Sequence, residues 1–405
     1  MSFSFGFSGD DIDPDLNESQ PQPHSHSHSQ PASQPPSSSY SAFPVAGKPQ
    51  LPATIHPLSS LLAQLPSKIA YDTLAIDLTN DVPPSSSNGN DGSSSSSSYY
   101  SPPTLALPRR ELWDVRVQLM AEDDDVLSGE DRVDDGGLGK HDVKTGIYEG
   151  GFKSWESSID LVRVLAAQDE LTTAAHQASS LRVIELGCGT ALPSLALFTW
   201  IMHRQSRSQW PNSPPLPCSL ILADYNPSVL RLVTLPNFLL AWALHSSTHE
   251  PALADAFTID GELELSPAIL HAFETFLSSS GIHLSFVSGA WSPEFIGCLY
   301  DLPAFSAAES PAPRTLMIGA ETIYSPFALQ AFAQTVFAVL ERERASGATA
   351  AAYVAAKRLY FGVGGSLDDF VDLARSKGAT VTELREESEG VRRGVVHCVL
   401  QQQQQ

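Results

Sequence analysis

Val183-Ile184-Glu185-Leu186-Gly187-Cys188-Gly189-Thr190-Ala191-Leu192-Pro193 is the stretch on which the fold turns. An apolar run ends in an acid, a glycine-rich turn follows, and a helix begins. That order predicts a strand feeding a tight loop in which a nucleotide-like ligand lies against bare backbone. A dinucleotide fingerprint requires Gly-x-Gly-x-x-Gly, and its last position here is Leu192. The bland alternative is an ordinary strand-to-helix turn, so the surrounding chain has to decide.

Downstream, strands and helices alternate. Leu181 to Leu186 is the first strand and 192–202 a helix, and 203–217 is a polar, Pro-rich insert. Residues 219–224 form a second strand, and Asn226-Pro227 supplies an N-cap and first-turn proline for a helix to about Leu244. Helical spacing returns at 267–277, followed by strands at 283–287, 315–320 and 350–356, with Ser325 and Ser366 capping the helices between and after them. Residues 381–384 and 395–400 read as a terminal antiparallel pair. The pattern predicts an α/β fold with a doubly wound, mostly parallel sheet. Such sheets bind ligands at the carboxyl ends of their strands. Gly187-x-Gly189, Asp224, Gly289 and Glu321 each follow a strand, so they are expected on one rim.

Upstream, Ser, Pro, Gln, His and Gly dominate the first hundred or so residues, with too little apolar surface to offset chain entropy. A disordered tail is expected over 1–107, including the His24, His26 and His28 repeat, and another over 401–405. Glu111 to Met120 alternates like a strand. Tyr148-Glu149-Gly150-Gly151-Phe152-Lys153-Ser154-Trp155-Glu156 leads into an amphipathic helix through Ile159, Leu161, Val162 and Leu165. The ordered domain is thus expected over 108–400, with 108–180 as an N-terminal extension.

The 405 residues carry 24 basic and 46 acidic side chains, a formal charge of −22. That excludes nonspecific binding to DNA or to an anionic membrane and suits a basic protein partner. The acids at 122–125 and 130–135 read as a solvated loop or as a lip for such a partner. Cys188, Cys218, Cys298 and Cys398 are scattered, so neither a disulfide framework nor a metal site is expected. No signal region or membrane span is read, and a reducing compartment fits.

On the rim, Asp224 is placed to accept hydrogen bonds from ribose hydroxyls, or else to cap a helix. Glu185 either orients the glycine loop or sits near a cofactor ammonium. Gly289, Ala290 and Trp291 leave room for an adenine edge, and Trp291, like Trp155, is either a ligand wall or core. Glu321 is placed to hold a substrate nitrogen or take its proton, and Tyr324 to shape the opening. The glycines of Lys357-Arg358-Leu359-Tyr360-Phe361-Gly362-Val363-Gly364-Gly365 predict a tight backbone at the substrate mouth.

Taken together and in order, these motifs resemble the histidine protein methyltransferase 1 family of seven-β-strand, Rossmann-like methyltransferases. The resemblance rests on Tyr148 to Glu156, Glu185-Leu-Gly-Cys-Gly189, Asp224-Tyr-Asn226, Thr234-Leu-Pro-Asn237, Gly289-x-Trp291, Glu321-Thr-Ile-Tyr324 and Ala356 to Gly365, across roughly 108–400. It implies S-adenosyl-L-methionine as cofactor and N-methylation of a histidine in a large-subunit ribosomal protein, in cytoplasm and nucleus; a monomer is expected. It also implies cofactor contacts around Trp155, Gly187, Asp224, Tyr225, Asn226, Gly289, Ala290, Trp291, Ala320 and Glu321; Glu156, Glu185 and Gly189 join them as candidates from their place beside those motifs, and Glu321 and Tyr324 are the candidate catalytic residues on the rim. Ala191 stands where motif I usually ends in glycine, and Ala320 where a serine is common. The rival readings are a protein-lysine methyltransferase of the same fold, a small-molecule methyltransferase, and a non-catalytic ribosome-assembly or chaperone factor.

Overall fold

The computed structural model describes residues 49–79, 104–126, 150–168, 180–206, 217–306, 313–360 and 364–401, with Gly47, Asp81 and Leu171. Its strands are β1 (Thr54–His56), β2 (Lys68–Asp77), β3 (Thr104–Arg110), β4 (Leu181–Leu186), β5 (Cys218–Asp224), β6 (Glu262–Glu264), β7 (Ile282–Ser288), β8 (Arg314–Ala320), β9 (Ala350–Lys357), β10 (Ala379–Glu387) and β11 (Arg393–Leu400). The main helices are α1 (Leu58–Leu62), α2 (Leu112–Val126), α3 (Glu156–Gln168), α4 (Leu192–Ser206), α5 (Pro227–Ser246), α6 (Pro267–Ser279), α7 (Pro293–Asp301), α8 (Pro326–Ala345) and α9 (Leu367–Ser376).

The large sheet has the order β1-β7-β5-β4-β8-β9-β11-β10. Its central strands, β7 to β9 in that order, are parallel, whereas β11 runs antiparallel to both β9 and β10. Without β1 this is the expected Rossmann-like seven-strand arrangement, with its antiparallel terminal strand. The strand order reverses beside β4, and that switch point is where the fold leaves a crevice. All six residues of β4 are buried. Val183, Leu220, Leu222, Leu316 and Ile318 face the core under α3 to α6, while Ile184, Ile221, Ala223 and Met317 face the core under α7 to α9. Strand side chains alternate between faces, so a strand covered on both must be apolar throughout.

Two expectations need correction. The tail does not extend to residue 107: within it the structure places β1, α1, β2 and the start of β3. Leu51, Leu61, Ile69, Ile76 and Leu107 are buried there, and β2 pairs with β3 and β6 in a second, antiparallel sheet. These short apolar runs were masked by the Ser- and Pro-rich composition around them. Residues 112–120 belong to helix α2 rather than to a strand, and the acids at 122–125 continue that helix rather than forming a loop. Leu112, Val115 and Leu119 recur at helical spacing and pack on Phe152 and Val233, and Arg110 pairs with Asp114 one turn on.

Asn226 caps α5 as expected, its Oδ1 accepting from the Ser228 amide ahead of Pro227. Residues Leu230–Thr234 form a π turn within α5. This helix is long and apolar enough to cross a membrane, yet 78% of its apolar window is buried inside the protein, so core packing accounts for its composition. Gln401 hydrogen-bonds Thr380 at 3.1 Å. The His-Ser repeat, the acids at 130–135, Tyr148-Glu149, most of the 203–217 insert, Phe361 to Val363 and residues 402–405 lie outside the described residues.

Candidate active site

The glycine turn after β4 forms the floor of a cavity of about 690 Å³. Gly187 and Gly189 have φ of +65° and +52°, and Ala191 follows at +56°, which explains why glycine suits that third position. The turn is held from behind. The Cys188 amide continues the ladder onto Ala223 O at 2.9 Å. Thr234 on the π turn of α5 donates from Oγ1 to Gly189 O at 2.7 Å, and Asn237 donates from Nδ2 to Thr190 O at 3.0 Å. The Thr234-Leu-Pro-Asn237 motif therefore buttresses the turn, a role that its sequence position alone did not reveal.

Asp224, at the end of β5, accepts from the Gly189 amide at 3.1 Å and from the Asn226 amide at 3.0 Å. Burial pushes its carboxyl up to about 6, against the pull of those amides. The Tyr225 amide draws on the same carboxylate, which keeps part of its acceptor capacity for a ligand. Glu185 faces away from the cavity and accepts from the Ser194 amide at 3.0 Å, satisfying an orphan N–H in the first turn of α4. Its hydrogen bond is thus made to the helix that follows the glycine loop, a structural role.

Burial raises Glu185 from 4.5 to about 7, with the neighbouring Asp224 charge adding to the effect. The folded state then holds a proton that the unfolded chain releases. This contribution is fully present below about pH 4.5 and is lost as pH rises through 7, amounting to about 3 kcal/mol. Denaturant melts between pH 5 and 8 are expected to show the decline in the parent protein and a shallower one in Glu185→Gln. Parallel curves would show that Glu185 is ionised throughout.

Trp155, Gly187, Gly189, Asp224, Tyr225, Ala290, Trp291, Ala320, Glu321 and Tyr324 line the cavity, whereas Glu156, Glu185, Asn226 and Gly289 do not. Glu156 is exposed at the start of α3. Asn226 spends its side chain on the α5 cap. Gly289, at φ +105°, makes room for backbone: a Cβ there would meet Pro52 O at 2.2 Å. The strand β1 that follows Pro52 pairs with β7, and Gln50, just before it, lines the cavity. The N-terminal segment is thus part of the site.

Glu321 is left-handed at φ +58°, a conformation uncommon outside glycine and here found beside a cavity. Its Oε1 accepts from Ser157 Oγ on α3 at 2.5 Å, and its Oε2 accepts from the Tyr360 hydroxyl at 2.5 Å. Burial and the Glu321 charge push the Tyr360 phenol well up, so it stays a donor. Lys357 Nζ lies 4.0 Å from Glu321 Oε2. The carboxylate is therefore fixed from three directions, and both oxygens keep acceptor capacity. Tyr324 is half-buried, and its hydroxyl is pushed up to about 12 by burial and then by Asp224. From sequence, Lys357 and Tyr360 read only as part of the tight segment at the substrate mouth, and Ser157 not at all, because their meeting with Glu321 joins segments distant in sequence.

The lining suits an adenosine-bearing ligand. Among the described residues, Trp291 Nε1 and Thr322 Oγ1 are buried without hydrogen-bond partners, and both residues face the cavity. Neither atom presents surface to the cavity, and Thr322 Oγ1 lies on the side of Gly319, so the polar acceptor this part of the wall offers a ligand is Asp224.

Two yeast proteins, each called histidine protein methyltransferase 1, decide the family. The relatives from Saccharomyces cerevisiae and Schizosaccharomyces pombe are each 36% identical over 271 residues, covering 65% of this chain and 67% of theirs. The chain belongs to the histidine protein methyltransferase 1 family. It is a methyltransferase of that kind, an enzyme acting on protein. A homologue from Bos taurus is 26% identical over 63% of this chain and 56% of its own. No family model matches the chain. Among solved structures, human methyltransferase 10 domain containing protein covers 62% of this chain and 84% of its own, at 9% identity and a TM-score of 0.30. Magnesium protoporphyrin IX methyltransferase from Synechocystis PCC 6803, solved with bound SAM, covers 62% and 86%, at 10% identity and a TM-score of 0.25. The fold assignment rests on the strand order itself.

Proposed function

We propose that the cavity holds S-adenosyl-L-methionine and that the chain N-methylates a histidine side chain of a large-subunit ribosomal protein, in cytoplasm and nucleus. The observation that carries this reading is a single cavity joining the glycine turn and Asp224 to the Glu321 carboxylate, in a chain of this family. The cofactor, when bound, supplies an activated methyl group. Asp224 offers an acceptor for it, and the Gly187 to Gly189 turn offers the bare backbone against which it would lie.

The protein's own task is to orient the acceptor. A free imidazole has a pKa of about 6.5, so near neutral pH one ring nitrogen has an available lone pair and the other a proton. Glu321, fixed by Ser157 and Tyr360, accepts that N–H and turns the lone pair toward the methyl group. A lysine acceptor, with a free pKa of about 10.4, would have to lose a proton first, and the cavity already contains the Lys357 cation. The net charge of −22 favours encounter with a basic protein.

The test is incubation with labelled cofactor and large-subunit ribosomal proteins, followed by mapping of the modified residue. Label on histidine is expected, and label on lysine would overturn the acceptor. Absence of cofactor binding by calorimetry, with the protein folded, would overturn the cofactor.

A further inference from the structure

Lys357 ends β9 and sits inside an aromatic cage. Its ammonium nitrogen lies 5.2 Å from the Trp155 ring centre, 5.5 Å from the Tyr360 ring centre and 4.0 Å from Glu321 Oε2. Two aromatic rings and a carboxylate make a receptor for an ammonium group, of the sort that binds alkylated lysines. Here the occupant is the chain's own lysine.

The cage is built from separate parts of the fold. Trp155 is pinned by its Nε1 donating to Gly150 O at 2.9 Å, just ahead of α3. Tyr360 is pinned by its hydroxyl, which donates to Glu321 and accepts from the Lys357 amide at 3.4 Å. The Lys357 side chain is 24% exposed and the Trp155 residue 37%, and both line the cavity, so the cage stands where the cavity meets solvent.

We propose that Lys357 is a specificity-determining residue. Its ammonium fills the site that an acceptor lysine would need and repels a second cation from the Glu321 carboxylate. A neutral imidazole pays no such repulsion and can still donate its N–H to the acceptor site Glu321 keeps. The proposal deepens the reading of a histidine acceptor and rests on it.

Two measurements on the full chain test it. In the first, the parent, Lys357→Met and Lys357→Arg are incubated with labelled S-adenosylmethionine and large-subunit ribosomal proteins, and hydrolysates are scored for methylhistidine and methyllysine. Lys357→Met is expected to raise the ratio of methyllysine to methylhistidine at least 100-fold, while Lys357→Arg keeps it low. An unchanged ratio in Lys357→Met overturns the proposal. The second measurement needs no turnover. n-Butylammonium chloride is titrated into parent and Lys357→Met, followed by tryptophan fluorescence. The emptied cage is expected to bind it at least tenfold more tightly than the parent, and equal affinity overturns the proposal. Methyllysine from the parent itself would instead overturn the histidine reading.

Discussion

Gly187→Ala is expected to weaken S-adenosylmethionine binding at least 100-fold and to lower the melting temperature by a few degrees. Two costs combine. At φ +65° an L-residue is strained by about 1–2 kcal/mol. The new Cβ would also stand 2.5 Å from Thr322 Cγ2, closer than real contacts allow, and 3.6 Å from Trp291 Cζ2. Thr322 and Trp291 line the cavity beside Gly187, so the collision moves the wall against which the ligand would lie. Calorimetry on parent, Gly187→Ala and Gly187→Ala/Thr322→Ser separates the costs. Thr322→Ser removes the colliding methyl and keeps the hydroxyl, so about tenfold of the affinity should return. Parent-like affinity in Gly187→Ala would mean that the turn is not part of the cofactor site.

The contrast between Gly187 and Glu185 illustrates what was legible before the structure. Continuous apolar runs marked the parallel strands because those strands are covered on both faces, and the residues after each run marked the rim. Sequence position along a strand end does not say which way a side chain points, since neighbours face opposite sides. Glu185 thus turns to the first turn of α4, and Gly289 serves a backbone approach rather than a ligand. Glu321 was found, but its setting was not, because Ser157 and Tyr360 reach it from 164 and 39 residues away. The strand-like alternation at 111–120 misled for a different reason. Leu112, Val115 and Leu119 carry the helical period, while Trp113, Val117 and Met120 are exposed apolar residues that blur it.

The ordered segment at 49–56 was hidden most completely, and Gly289→Val is expected to detach it. The substitution would set a side chain 2.2 Å from Pro52 O and 2.9 Å from Ala53 Cα, at a backbone φ of +105° that disfavours any L-residue. Three attachments depend on that approach: the Ala290 amide donating to Leu51 O at 2.9 Å, the Leu51 amide donating to the Tyr225 hydroxyl at 3.0 Å, and the β1 ladder from Thr54↔Ser288 to His56↔Phe286. With them gone, Gln50 leaves the cavity wall, Tyr225 loses the amide donor to its hydroxyl, and β7 becomes an open sheet edge. Cofactor affinity is expected to fall at least tenfold, and amide exchange at 54–56 and on the β7 edge should rise by orders of magnitude while β4 and β8 stay protected. The melting temperature should change less than the affinity, because the central sheet is untouched. Faster exchange at 54–56 with unchanged cofactor affinity would show that the segment covers the sheet edge without serving the site. Unchanged exchange would mean that Pro52 does not rest on Gly289.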